Sequence, residues 1–205
     1  MTDRFDKLYI ALKFRLHGMG YFKALNALEI AKEIHDGYRK DGKTPEFQHQ
    51  LEIALYIMTL KDIEQLEDTI IVALLHDTDE DYPHDLSHEQ KQQFDGFSIQ
   101  RIEMLNKHRA VSMEEYFRMI GNDRVCSLVK GVDRINNFQS MHGAFTIEKQ
   151  IKYAVEVKEF FLPMLKRARK KYPKQMDAYY NIENMLKSQY QLVTLFINAS
   201  LKKAE

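Results

Sequence analysis

TIIVALLHDTDED, residues 69–81, changes character in its middle. From Thr69 to Leu75 the run is apolar all round, so a helix built from it has no face to offer water and must be enclosed by other elements. From His76 to Asp81 it becomes an unbroken polar cluster of one imidazole, one hydroxyl and four carboxylates. A buried wall that turns abruptly into ionisable groups is where a site would sit. The spacing predicts a helix over about 64–80.

Working outward, apolar residues recur at helical spacing on both sides. Upstream, residues 46–60 read as a largely buried helix, with Phe47, Leu51, Ala54 and Met58 on one face and Ile53, Ile57 and Leu60 widening it. Before it lies the polar loop GYRKDGKTP, residues 37–45, with Pro45 at a plausible first-turn position. Helices are expected over 3–17 (Phe5, Leu8, Leu12, Leu16) and 21–36 (Leu25, Leu28, Ala31, Ile34), broken by Gly18 and Gly20. Downstream, 82–95 reads as loop plus a short helix. Helices follow near 97–108, 112–120 and 122–138, then two long ones over about 146–171 and 174–202 that meet at Pro173. No alternating strand pattern, repeat or low-complexity segment is seen. The expectation is a single all-α domain, 1–205, with the site-bearing part at about 21–140.

Charge and composition narrow the function classes. Thirty basic and thirty acidic residues leave no net charge, which argues against a general binder of nucleic acid or membrane surfaces. A local basic pocket for one phosphorylated small molecule remains compatible. A single cysteine, Cys126, excludes an intrachain disulfide and a multi-cysteine zinc site. The charged N-terminal stretch has no signal-peptide core, and no apolar run approaches the roughly 20 residues that span a bilayer. A cytoplasmic protein is expected.

Three clusters carry candidate chemistry. In the first, Glu80 lies one helical turn beyond His76 and Asp81 one turn beyond Asp77. If the helix persists, His76 and Asp77 can hold a divalent ion while Glu80 and Asp81 handle a water. The second is VKGVDRINN, residues 129–137, where Lys130, Asp133 and Asn137 share a helical face. Val125, Leu128, Val132 and Ile135 supply the packing, so the polar triplet can face an internal cleft. Asp133 could complete a metal shell, and Lys130 and Asn137 could meet phosphate or ribose oxygens. The third cluster, residues 35–49, offers His35, Arg39, Lys40, Lys43 and His49, with Gly37 and Gly42 letting the loop bend.

These segments, in this order, resemble the hydrolase domain of the Rel/SpoT alarmone enzymes and the small alarmone hydrolases. That family carries H-x-G-Q-x-R-K-x-G-x-P-Y-x-x-H-P, then A-L-L-H-D-x-x-E-D-T, then K-L-A-D-R-x-H-N. The counterparts here are His35 to His49, Ala73 to Asp81, and Lys130 to Asn137, within a match over roughly 25–140. The resemblance implies an HD-type helical bundle holding one divalent ion, usually manganese, on His49, His76, Asp77 and Asp133. It implies that Glu80 and Asp81 position and deprotonate the attacking water, and that Arg39, Lys40, Lys130 and Asn137 contact substrate. The implied reaction removes pyrophosphate from the ribose 3′ position of ppGpp or pppGpp. The chain departs from the pattern at Tyr38, Gln50 and Asn136, and Arg39-Lys40 sit one residue early.

Each residue taken singly also has a plainer reading. His49 could be a hydrogen-bonded core histidine, His35 a helix-end residue, and Asp133 the partner of Arg134. Residues 166–171, KRARKK, read as a solvated helix C-terminus, and Tyr179, Tyr180, Tyr190 and Phe196 as packing or a subunit contact, which admits a homo-oligomer. The chain is too short for the synthetase and regulatory domains of the bifunctional relatives, so a stand-alone scavenger or an antitoxin to a partner synthetase is expected. The alternatives are an HD-type nucleotidase acting on another nucleotide, and a non-catalytic nucleotide-binding protein.

Overall fold

A computed structural model describes residues 4–39, 42–78, 86–141 and 144–202. Eleven α-helices are described: α1 (Arg4–Met19), α2 (Phe22–Ile34), α3 (Gln48–Ile57), α4 (Leu66–Leu75), α5 (His88–Lys91), α6 (Gly96–Leu105), α7 (Met113–Gly121), α8 (Arg124–Ser140), α9 (Ile147–Glu156), α10 (Leu162–Lys171) and α11 (Met176–Lys202). Among the described residues no strand occurs, and the extended pairing is limited to an antiparallel bridge between Tyr38 and Pro45. The class is all-α, as the periodicity requires. No described helix is long and apolar enough to cross a membrane.

Helix α8 is the axis of the bundle. Every residue from Val125 to Asn136 is buried, because α3 and α4 lie along one flank, α6 and α7 along another, and α10 and α11 along the rest. The Asp123 side chain starts this helix by accepting hydrogen bonds from the Val125 and Cys126 amides. That satisfies donors that would otherwise be stranded at its buried N-terminus. α4 is equally enclosed, with Thr69 to Leu75 all buried. The two helices therefore carry polar side chains into the interior at their meeting point.

The structure shortens the helix expected over 64–80. α4 ends at Leu75, and His76 and Asp77 lie in a turn beyond it. The physical reason is competition for carbonyls. His76 Nδ1 bonds the Ala73 carbonyl at 2.9 Å, and Thr78 Oγ1 donates to the Leu75 carbonyl at 2.7 Å, so side chains take acceptors close to the helix end. α3 likewise begins at Gln48 rather than 46, since Pro45 is drawn into the bridge with Tyr38 and its carbonyl accepts from the Gln48 amide.

Residues 147–171 form the long helical run expected, interrupted by a π-helical turn at Val157–Phe161. The turn lies beside Arg134. The guanidinium of Arg134 sits 3.9 Å from the Tyr153 ring centroid and 4.4 Å from that of Phe161, and pairs with Glu156 at 2.7 Å. Pro173 opens the short 3-10 turn, Pro173–Gln175, that separates α10 from α11.

Gly131 sets how closely α10 and α11 approach α8. A Cβ there would stand 2.9 Å from Ile182 Cγ2 and 3.0 Å from Leu165 Cδ2, both buried in the core. Leucine occupies this position in the pattern that the chain resembles, so the tight approach is a property of this sequence. Gly131→Leu is expected to cost on the order of 3 kcal/mol by overpacking. Gly131→Ala should cost less, because better helix propensity offsets about 1 kcal/mol of the strain. Urea denaturation of both variants measures the difference.

Candidate metal centre

Three elements bring the implied ligands together. His49 stands in the first turn of α3, His76 caps the C-terminal end of α4 with Asp77 beside it, and Asp133 projects from the middle of α8. His49 Nε2 lies 3.2 Å from Asp133 Oδ1 and 3.7 Å from Asp77 Oδ2. His76 Nε2 lies 3.0 Å from Asp77 Oδ1 and 3.9 Å from Asp133 Oδ1. Ligand atoms of His49, His76 and Asp133 all fall within 4.8 Å of one another, a separation that one divalent ion can bridge with bonds of about 2.0–2.2 Å.

The hydrogen bonds at the outer ring atoms favour this use. His76 Nδ1 faces the Ala73 carbonyl, so it carries the proton, and in the neutral ring the lone pair is on Nε2. His49 Nδ1 faces Asn136 Oδ1 at 2.7 Å. Both imidazoles thus turn Nε2 toward the centre, the arrangement in which a second partner fixes the tautomer of a metal-binding histidine. Among the described residues, His76 Nε2 is buried without a hydrogen-bond partner. A buried polar atom left in that state is costly unless something else engages it, and a cation between the two rings would do so. The residues present fit a divalent metal.

Electrostatics reinforce the geometry. Burial alone would raise the Asp133 carboxyl, but Lys130, His49 and His76 overcome it and hold Asp133 well below the usual carboxylate range. Asp77 is lowered in the same way: burial opposes its charge, and His76 foremost, with Lys130 and His49, outweighs burial and the repulsion from Asp133. Burial by itself would lower His76, and Asp77 and Asp133 together raise it. The centre is a pair of buried carboxylates that require positive charge around them.

The remaining candidates take varied positions. Lys130 Nζ is 3.0 Å from Asp133 Oδ2, and Asn137 Nδ2 donates to Asp133 Oδ1 at 2.6 Å, so both grip the carboxylate from their own helix. Arg39 reaches in from the 37–45 loop and donates to Asn136 Oδ1 at 3.4 Å. Gln50, which stands where the pattern has proline, donates to Asp77 Oδ2 at 3.5 Å. Asp133 does not pair with Arg134, which turns away to Glu156. Lys40, Glu80 and Asp81 lie outside the described residues.

Above the centre opens a cavity of about 1200 Å³ whose lining includes His49, Asp77, Lys130, Asp133 and Asn137. The lining also includes Lys107, Lys149, Lys152, Tyr153, Glu148 and Glu156. These cations escaped the sequence reading because they come from loop and helix positions distant in the chain from every motif. Asn136 and Glu52 were also missed. Asn136 is next to a candidate residue, but only the folded chain shows that its side chain meets His49.

Other polar and aromatic residues lie away from the centre. His17, His88 and His108 are exposed, and Cys126 is buried in the core with its thiol pushed well up by burial. In the basic run 166–171, Lys171 binds Asn122 and Arg169 pairs with Glu183. Tyr179 is fully buried and bonded to Ser127, whereas Tyr180 and Phe196 are exposed.

Residues 27–194 match the family described as HD domain. The chain is also similar to the guanosine-3′,5′-bis(diphosphate) 3′-pyrophosphohydrolase of Aquifex aeolicus (strain VF5), at 29% identity over 188 residues, which covers 87% of this chain and 26% of that protein. The GTP pyrophosphokinase rsh of Brucella ovis is 27% identical over 153 residues, covering 69% of this chain and 20% of its own length. The protein of the same name from Brucella melitensis matches with the same identity and coverage. The chain therefore spans about a quarter or less of the length of these curated relatives.

His35 closes α2 and stacks on Phe47, with ring centroids 6.5 Å apart and planes 7° from parallel. Burial pushes its imidazole down to about 4. The folded state therefore binds fewer protons than the unfolded chain between that value and the ordinary 6.5, and its stability falls as pH drops through this window. Relative to His35→Gln, the natural protein is expected to lose about 2 kcal/mol more between pH 7 and pH 5. Chemical denaturation of both proteins at the two pH values checks this.

Proposed function

This chain belongs to the HD-domain family and is related to ppGpp hydrolase and Rel-type proteins, and from that premise we propose that it removes pyrophosphate from the 3′ position of ppGpp, pppGpp or a closely related alarmone. The observation that carries the reading is the convergence of His49, His76 and Asp133, with Asp77 in contact with both imidazoles, beside a cavity whose lining includes Lys107, Lys130, Lys149 and Lys152. A cavity of this size suits a nucleotide bearing several phosphates.

In this reading His49, His76, Asp77 and Asp133 hold one divalent ion, manganese by resemblance. When bound, such an ion supplies positive charge for the phosphoryl oxygens and can make water a far stronger acid, with a pKa of about 7 in favourable sites. The protein's own groups do the rest. Asp77 and Asp133 stay ionised because His76, His49 and Lys130 surround them. Glu80 and Asp81 orient the attacking water and accept its proton as its oxygen bonds to the 3′ phosphorus, while the bond from that phosphorus to the ribose 3′ oxygen breaks and the proton passes on to that oxygen. Arg39, Lys40, Lys130 and Asn137 contact the substrate, with Lys107, Lys149 and Lys152 placed to neutralise its phosphates as pyrophosphate departs. The cytoplasm, where such nucleotides occur, is the proposed setting.

The decisive assay incubates manganese-loaded protein with ppGpp, pppGpp and a panel of other nucleotides, and separates pyrophosphate from orthophosphate. Pyrophosphate from the alarmones supports the reading, whereas orthophosphate or a different preferred nucleotide assigns another HD-type reaction. Metal binding without turnover on any nucleotide would instead indicate a binding protein. Asp77→Ala should abolish metal binding and turnover together. Glu80→Gln should keep the metal and lose about 10²–10⁴-fold in rate, and wild-type turnover in that variant removes Glu80 from the mechanism.

A further inference from the structure

His49 belongs to a chain of hydrogen bonds that runs away from the metal centre to the protein surface. Its Nδ1 faces Asn136 Oδ1 at 2.7 Å. The other edge of the same amide, Nδ2, donates to Glu52 Oε2 at 2.7 Å. Glu52 Oε1 in turn accepts from Arg4 Nη2 and from Gln48 Nε2, each at 2.9 Å. His49 and Asn136 are both buried, at 6% and 5% exposure, so water does not compete for these bonds.

The chemistry of the participants leaves one consistent polarity. A guanidinium can only donate and a carboxylate can only accept. Glu52 therefore requires the NH₂ edge of Asn136, which turns the carbonyl edge toward His49. Arg39, donating to the same Oδ1 at 3.4 Å, demands the same orientation. A carbonyl facing His49 Nδ1 requires that nitrogen to carry the proton. In the neutral ring the lone pair is then on Nε2, the atom that lies 3.2 Å from Asp133.

We propose that Glu52 acts through Asn136 to fix the tautomer of His49, making Asn136 and Glu52 positioning residues for the metal centre. The inference deepens the metal-centre reading above and rests on it. His76 obtains its tautomer from a backbone carbonyl of its own helix, which no side-chain substitution removes. His49 has no such local acceptor and depends on an amide 87 residues away. An amide alone is ambiguous, because it can flip and present its donor edge. The carboxylate of Glu52 removes the ambiguity, and Arg4 on α1 and Gln48 on α3 hold that carboxylate in place. The arrangement is a carboxylate–amide–imidazole relay in which two hydrogen bonds carry the orientation that a single carboxylate–histidine contact supplies in simpler sites.

The test uses the full chain. Two-bond ¹H–¹⁵N spectra of the metal-free protein should show His49 protonated at Nδ1. A wild-type His49 protonated at Nε2 overturns the proposal without reference to any variant. In Asn136→Leu the Nδ1-protonated form should lose its dominance, and Mn²⁺ affinity by titration calorimetry should fall about 10–100-fold. The paired swap Glu52→Gln with Asn136→Asp restores the polarity, since the amide introduced on α3 can donate to the carboxylate introduced on α8, which accepts from His49. The swap should recover most of the lost affinity. Unchanged tautomer and affinity in Asn136→Leu, or a swap as weak as that variant, overturns the relay. Failure of the wild type to bind any divalent ion would sink the metal-centre reading instead, while the tautomer spectra still decide the relay.

Discussion

The burial of Asp133 is the constraint on which the rest of the structure depends. A carboxylate in the middle of an enclosed helix is expensive unless charge and hydrogen bonds surround it. Here Lys130 and Asn137 bind it from its own helix, and His49 and His76 approach it from α3 and α4. The contacts from His49 and His76 tie α3 and α4 to α8. The packing of α3 and α4 on the central helix and the assembly of the polar centre are therefore one event, and neither is available to the isolated segments.

The same burial explains the electrostatic character of the centre. Two carboxylates are kept ionised in the interior by the imidazoles and the ammonium group around them, and with both rings neutral the two carboxylates outnumber the one ammonium group. Among the described residues, His76 Nε2 has no hydrogen-bond partner and lies beside both carboxylates. The lining of the adjoining cavity includes Lys107, Lys149 and Lys152 together with Glu46, Glu148 and Glu156, so cations and carboxylates from distant parts of the chain face one chamber. The formal charge of the whole chain is zero, and the polarity of the site comes wholly from how the charges are distributed.

Arg134 shows how a motif residue can be held by packing and an ion pair away from its neighbour Asp133. It follows Asp133 in the chain, and a helix places adjacent side chains about 100° apart. Arg134 accordingly faces α9 and the π turn, where Tyr153 and Phe161 flank it and Glu156 pairs with it. The π turn is matched to this contact, since its residues include Phe161.

Much of this was legible in the sequence. Helical periodicity without strand alternation determined the all-α class, and the switch from Leu75 to His76 pointed to the place where His76 meets His49 and Asp133. The helix ends were less legible, because His76 and Thr78 compete for backbone carbonyls and stop α4 early, a contest that periodicity does not register. The convergence of His49 with Asp133 was implied by resemblance rather than by spacing, since the two lie on separate helices. The tertiary structure alone decided the partners: that Lys130 binds Asp133, that Arg134 does not, and that Asn136 and Glu52 stand behind His49. Periodicity encodes which face of a helix turns inward, a local property of side-chain order. Which side chains then meet depends on the distances and angles between helices, set by packing contacts such as that of Gly131 with Ile182 and Leu165, and no single segment contains that information.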